Sequence, residues 1–177
     1  MTAKVDGTDQ AEYFLKRLVA VGGLKAAHLQ PVVDLEWDTY GPDFKRVVVG
    51  HSPKGEPLYK DYWDDIDPLE RVTTVKDAVQ TIISGLPGLS IKPIIYTNRS
   101  WWDDHIPAGT VFEGATVWIS DYRSSSYKNN SPRSVSGHKY HLWQFTDSAK
   151  INVAGTMHGP YDANRLVFGT ISDISIS

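Results

Sequence analysis

The stretch that most constrains the fold is Pro31-Val32-Val33-Asp34-Leu35-Glu36-Trp37-Asp38, a short apolar run that ends in carboxylates and lies between two helical patterns. An apolar run of this length reads as a buried strand over 31–37. Asp34 and Glu36, at i and i+2, then point to the same side with Cα atoms roughly 6–7 Å apart. Unpaired carboxylates are expensive to bury. Two of them on one side of an apolar strand point to a site, the alternative being a structural pair held by backbone amides or an arginine.

The flanking patterns set the fold class. Upstream, Asp9 and Glu12 have capping-box spacing, and Ala11, Phe14, Leu15, Leu18 and Val19 follow a helical period that Gly22-Gly23 stops. Downstream, Asp67-Pro68 with Glu70 predicts a helix start. Val72, Val75, Val79, Ile82, Ile83 and Leu86 form its apolar stripe, and Pro87-Gly88 ends it. Strands follow at 91–97, 115–119 and 140–145, with a short helix over 99–105. Residues 38–67 carry Gly41-Pro42, Ser52-Pro53-Lys54-Gly55 and Glu56-Pro57 and read as a long loop excursion, with a minor strand at Val47-Val48-Val49. Residues 123–137 read as a second loop, and Asp162-x-Asn164 as a turn, a cap or part of a site. Strand–helix alternation of this kind defines an α/β parallel sheet. Several strands end in polar or aromatic residues, and in α/β barrels the carboxyl ends of the strands gather the active site.

The chain has 177 residues, enough for a single domain spanning 1–177 with a real core. A formal net charge of -3 argues against nucleic acid or an anionic membrane as partner. Without cysteine there is no disulfide framework or thiolate metal site. No apolar run approaches the roughly 20 residues of a membrane span, and residues 1–7 lack a signal-peptide core. The acids Asp61, Asp64, Asp65 and Asp67 lack the glycine and terminal glutamate of a calcium loop and read as a solvated loop with a helix cap. His138 and His141 fall on opposite sides of a strand. No metal and no cofactor is expected.

Further landmarks carry a family resemblance. Pro31-Val32-Val33-Asp34-Leu35-Glu36 looks like the Asp-x-Glu strand of glycoside hydrolase family 25, the Chalaropsis-type lysozymes or N-acetylmuramidases. Ile95-Tyr96-Thr97-Asn98 with Trp101-Trp102, Val117-Trp118-Ile119-Ser120-Asp121-Tyr122, Leu142-Trp143-Gln144-Phe145-Thr146 and Tyr161-Asp162-Ala163-Asn164-Arg165-Leu166 resemble that family's later blocks, in its order. The resemblance implies an incomplete or modified TIM-like β/α barrel that hydrolyses the β-1,4 bond after N-acetylmuramic acid in peptidoglycan, outside the cell or at its wall. Glu36 is then the general acid, its pKa raised by Asp34 and by apolar surroundings. Asp34 stays ionised and stabilises the substrate's N-acetyl group as it attacks the anomeric carbon. Asp162, Tyr96, Trp118, Tyr122, Gln144 and Trp37 are the expected substrate contacts, and Trp101, Trp102 and Trp143 the expected core.

The chain also departs from that family. The family's opening Asp-x-Ser-x-x-Gln strand, its second strand and its Tyr-His-Phe strand have no counterpart here. Four or five strands leave a barrel of this type with open edges. The expectations are self-association, a partner chain covering the open edge, or a fragment of a longer product. In function, a catalytically weakened glycan-binding or structural module is the alternative to the enzyme.

Overall fold

The computed structural model describes residues 1–25, 28–40, 45–122, 132, 135, 138, 140–167 and 170–176. Most of the 123–137 loop therefore lies outside the described residues. The elements run α1 (Gly7–Ala20), β1 (Val32–Leu35), β2 (Val48–His51), β3 (Pro57–Tyr59), a 3-10 turn (Tyr62–Asp65), α2 (Pro68–Gly85), β4 (Ile94–Asn98), α3 (Arg99–His105), β5 (Thr116–Ser120), β6 (Tyr140–Val153), β7 (Thr156–Leu166) and a final 3-10 turn (Ile171–Ile174).

The second helix forms as its sequence dictates. Asp67 caps it, accepting a 2.8 Å hydrogen bond from Leu69 N, Pro68 occupies the first turn, and Val72, Val75, Val79 and Ile82 are buried. The first helix starts earlier than its capping-box spacing suggests: Asp6, not Asp9, is its cap. Gly7 lies against α2 so closely that a Cβ there would sit 1.8 Å from the Thr74 carbonyl oxygen, and only glycine permits that approach.

The central sheet has the order β1-β4-β5-β6-β7. Strands β1, β4, β5 and β6 are parallel, and β7 returns antiparallel to β6. The fold is thus mixed α/β with a mostly parallel sheet, and the barrel is not closed. Among the described residues no strand pairs with the outer edge of β1. Strand alternation sorts the side chains between two faces. Leu35, Thr97, Ile119 and Trp143 share one register row and are buried at 0–1% exposure, in one core with Val75, Val79, Trp101 and Trp102 of the helices. Asp34, Tyr96 and Trp118 share the adjacent row and point to the opposite face.

Three sequence expectations need correction. Strand β1 ends at Leu35, so Glu36 and Trp37 lie just beyond it. The excursion 38–67 holds more than the single minor strand expected at 47–49. It contains the antiparallel hairpin β2–β3, and its ends are tied together by Tyr62 N to Asp38 O at 2.8 Å and Asp38 N to Asp61 Oδ1 at 3.0 Å. Its 3-10 turn buries Trp63 completely beside Trp101, which gives the excursion a fixed root in the core. Finally, β6 continues to Val153, and β7 contains Asp162 and Asn164, which therefore belong to a strand and not to a turn or cap.

Candidate active site

The open face of the sheet gathers most of the expected residues, from the middle of its parallel strands to just beyond their carboxyl ends. Tyr96 aligns with Asp34 on one side and Trp118 on the other, so β1, β4 and β5 each contribute one member of a row. The Tyr96 and Trp118 rings meet edge to face with centroids 4.9 Å apart, a favoured aromatic geometry. One row further on, Gln144 of β6 lies beside Ser120 of β5. Its buried side-chain carbonyl accepts from two phenols, Tyr96 at 2.5 Å and Tyr122 at 3.0 Å. Gln144 thereby orients two aromatic side chains from different elements.

The acids share one electrostatic environment. Glu36 is half-buried, and its carboxyl is pushed above its ordinary value, first by desolvation and then by the negative charge of Asp34, with Asp162 adding to the rise. The amino-terminal ammonium works in the other direction. Asp34 reaches solvent, yet protein atoms crowd its remaining sides. That partial desolvation pushes its carboxyl up too, against the pull of the same ammonium. Both phenols are likewise pushed up by desolvation, so they remain protonated donors at neutral pH. Glu36 is among the charges that act on each of them.

Seven of the eight expected residues thus share this face or its field: Asp34, Glu36, Tyr96, Trp118, Tyr122, Gln144 and Asp162. Asp162 enters from the exposed side of β7, through its charge. Trp37 does not join the others. It lines a separate cavity with Tyr59 and Asp61 of the excursion. Sequence reasoning missed Asn164 as a positioning group. Its Oδ1 accepts a 2.9 Å hydrogen bond from Trp118 Nε1 and so fixes that ring. The signal was its place in Asp162-x-Asn164, two residues apart on one side of a strand. His138 is no free ligand either, since its Nε2 accepts from Phe112 N at 3.0 Å. Among the described residues no group of three or more His, Asp or Glu side chains is arranged to hold a metal ion.

A half-buried carboxyl with a raised pKa just beyond β1, a second carboxyl on β1 itself and an aromatic row are the kinds of group that glycoside hydrolysis uses. The model of the glycosyl hydrolases family 25 matches residues 1–154, and the chain belongs to that family. Asp162 and Asn164 lie beyond the matched span. A family 25 glycosyl hydrolase from Bacillus anthracis has a similar structure, with a TM-score of 0.62 and 15% identity, over 96% of this chain and 61% of the other. The Clostridium perfringens spore cortex lytic enzyme SleM is also similar, with a TM-score of 0.52 and 19% identity, over 92% of this chain and 46% of the other. The chain therefore spans about half to three-fifths of the length of these two proteins. No curated protein matches it. Among the described residues no helix is long and apolar enough to cross a membrane.

Proposed function

We propose that the chain is a lysozyme-type peptidoglycan hydrolase, a β-1,4-N-acetylmuramidase acting at the cell wall. The observation that carries this reading is Glu36: a half-buried carboxyl, held protonated to higher pH by desolvation and by Asp34, at the mouth of a polar, aromatic face. Membership of family 25 and the likeness to a spore cortex lytic enzyme support it.

In this mechanism Glu36 gives its proton to the glycosidic oxygen as the bond to the muramic anomeric carbon breaks, and the leaving sugar departs as an alcohol. The N-acetyl carbonyl oxygen of the same muramic residue bonds to that carbon and forms an oxazolinium. Asp34, ionised, faces its N–H and offsets the positive charge. Water then attacks the carbon, gives its proton to Glu36 and reopens the ring. Tyr96, Trp118 and Tyr122 supply stacking surface and hydroxyls, with Gln144 and Asn164 holding them in place. The test is release of reducing ends from purified peptidoglycan by wild type and Glu36→Gln. A drop of about 10²–10⁴-fold is expected for loss of a general acid. Equal rates would remove Glu36 from its role.

A second reading rests on the outer edge of β1, which no described strand covers and where the Met1 ammonium donates to the Asp34 backbone carbonyl. An exposed sheet edge invites another strand, and a chain that binds glycan but needs a partner segment or a second copy to complete its barrel would show it. Glycan capture without reducing ends, together with light scattering that reports a dimer, would favour this module over the free-standing enzyme.

A further inference from the structure

A cavity of about 640 Å³ opens beside the catalytic face, and the proposed reaction leaves it unused. Its volume falls within the roughly 300–1,000 Å³ of small-molecule sites. Trp37 directly follows Glu36, so their Cα atoms are about 3.8 Å apart. Both stand just beyond the carboxyl end of β1. Trp37 forms one wall of the cavity and Tyr59 of β3 another.

The cavity has a fixed frame. At its floor Asp61 and His105 are 6% and 5% exposed, and His105 Nε2 lies 3.4 Å from Asp61 Oδ2 and 3.2 Å from Asp64 Oδ1. Asp61 Oδ1 accepts from Trp63 N and Asp38 N. The expectation that this acid belongs to a solvated loop is therefore incorrect. Asp61 and His105 hold the excursion against α3, and neither serves a ligand. Tyr59 is held as well. The Arg46 guanidinium lies 4.9 Å from its ring centroid and 4.5 Å from that of Tyr40, whose hydroxyl accepts from Arg46 at 2.8 Å.

The groups that solvent still reaches are of mixed kind. Trp37 is 46% exposed. The Asp64 and Asp104 carboxylates are exposed acceptors, and the Lys60 ammonium, already paired with Asp65 at 2.7 Å, keeps further N–H bonds to donate. Aromatic walls with both a donor and acceptors suit neither a bare cation nor an anion. They match a sugar ring, whose hydroxyls donate and accept and whose C–H faces pack on aromatic rings.

We propose that this cavity is a glycan subsite, taking an N-acetylhexosamine unit beyond the two sugars of the cleaved bond, stacked on Trp37 and Tyr59 and hydrogen-bonded to Asp64, Asp104 and Lys60. The proposal rests on the peptidoglycan reading of the neighbouring face. A polymer seated with its scissile oxygen at Glu36 has to continue across the adjoining surface, and Trp37 is the next residue along the chain from Glu36. The excursion thereby adds binding area that the parallel strands do not supply.

The test is calorimetric titration of Glu36→Gln, which needs no turnover, with peptide-free glycan fragments of about eight sugars. Adding Trp37→Ala should weaken binding about tenfold. Val49→Arg, at an exposed position on the cavity wall, should do the same by filling the space. The two together should cost no more than either alone, because both empty one subsite. Trp37→Phe should keep most of the affinity, which separates stacking from a folding defect. Unchanged affinity in the Trp37→Ala and Val49→Arg variants, additive losses, or a parent that binds no fragment overturns the proposal. So does a loss seen only with fragments that still carry their peptides. If wild type releases no reducing ends while these losses stand, the muramidase reading falls and the subsite remains.

Discussion

The two faces of the central sheet are made by the same strands and do opposite work. Leu35, Thr97, Ile119 and Trp143 point toward the helices and are fully buried, while Asp34, Tyr96 and Trp118, each one residue before its counterpart, point to the open side. The first row packs into the apolar core, with the Thr97 hydroxyl donating to the Asn98 carbonyl. The second carries a carboxylate, a phenol and an indole, with the Gln144 amide further along the same face. A strand's period of two is what permits this division: each strand devotes alternate positions to stability and to chemistry.

The division can be broken from either side. The largest effect is expected from Glu36→Gln, which should lower the hydrolytic rate by about 10²–10⁴-fold with no loss of melting temperature. On the other face, Ile119→Ala should reduce stability by about 2–5 kcal/mol, the range for a buried aliphatic truncated to Ala, measured by urea denaturation. Trp118→Phe, its neighbour on the open side, gives up a hydrogen bond to Asn164. It should cost about 1 kcal/mol while weakening substrate binding. If Trp118→Phe proved as destabilising as Ile119→Ala, the open face would be core and the contrast would fail.

A smaller effect sharpens the roles within the open face. In the proposed role Glu36 acts only when protonated, so activity should fall as pH rises through its pKa. Desolvation is the first cause of its elevation and the charge of Asp34 the second. Asp34→Asn removes only the second. The alkaline limb of the pH–rate profile should therefore move to lower pH, yet stay above the ordinary glutamate range near 4.5. A limb that stayed where it was would separate the two carboxyls electrostatically and leave Asp34 with the substrate alone.

How much of this was legible in the sequence follows from how local each cause is. The start of α2 was readable because Asp67, Pro68 and Glu70 act within one turn. The start of α1 was not, although Asp6 caps it as locally as Asp67 caps α2, because the Asp9 and Glu12 spacing competes with it in the sequence; the close approach of Gly7 to the Thr74 carbonyl emerges only in the fold. Asp34 and Glu36 stood out because carboxylates interrupt an apolar run, Gln144 because it stands near the end of an expected strand, and Tyr96 and Trp118 because their blocks resemble those of family 25. The excursion hid its structure. Prolines and glycines at 41–57 look like loop chemistry, and nothing nearby announces that Asp61 is buried against His105, which lies 44 residues further on in the chain. Asn164 as the holder of the Trp118 ring depends on β6–β7 pairing, which again is a long-range fact.

The smallest expected effect tests the same carboxyl through stability. Glu36 has a folded-state pKa raised above its unfolded value. A carboxyl shifted that way binds its proton more tightly in the native state, so stability is greatest below the unfolded pKa and declines as pH rises through the folded one. At neutral pH its ionised form is desolvated and faces Asp34, which disfavours the native state. Glu36→Gln removes that charge while keeping the shape. The variant should therefore melt slightly above wild type at pH 7, and the difference should vanish below about pH 4, where wild-type Glu36 is protonated in both states. Calorimetry across that range reads the sign directly. A variant less stable than wild type at pH 7 would mean that the Glu36 carboxylate is a structural partner. The division between a stabilising and a reactive face would then stop short of its central residue.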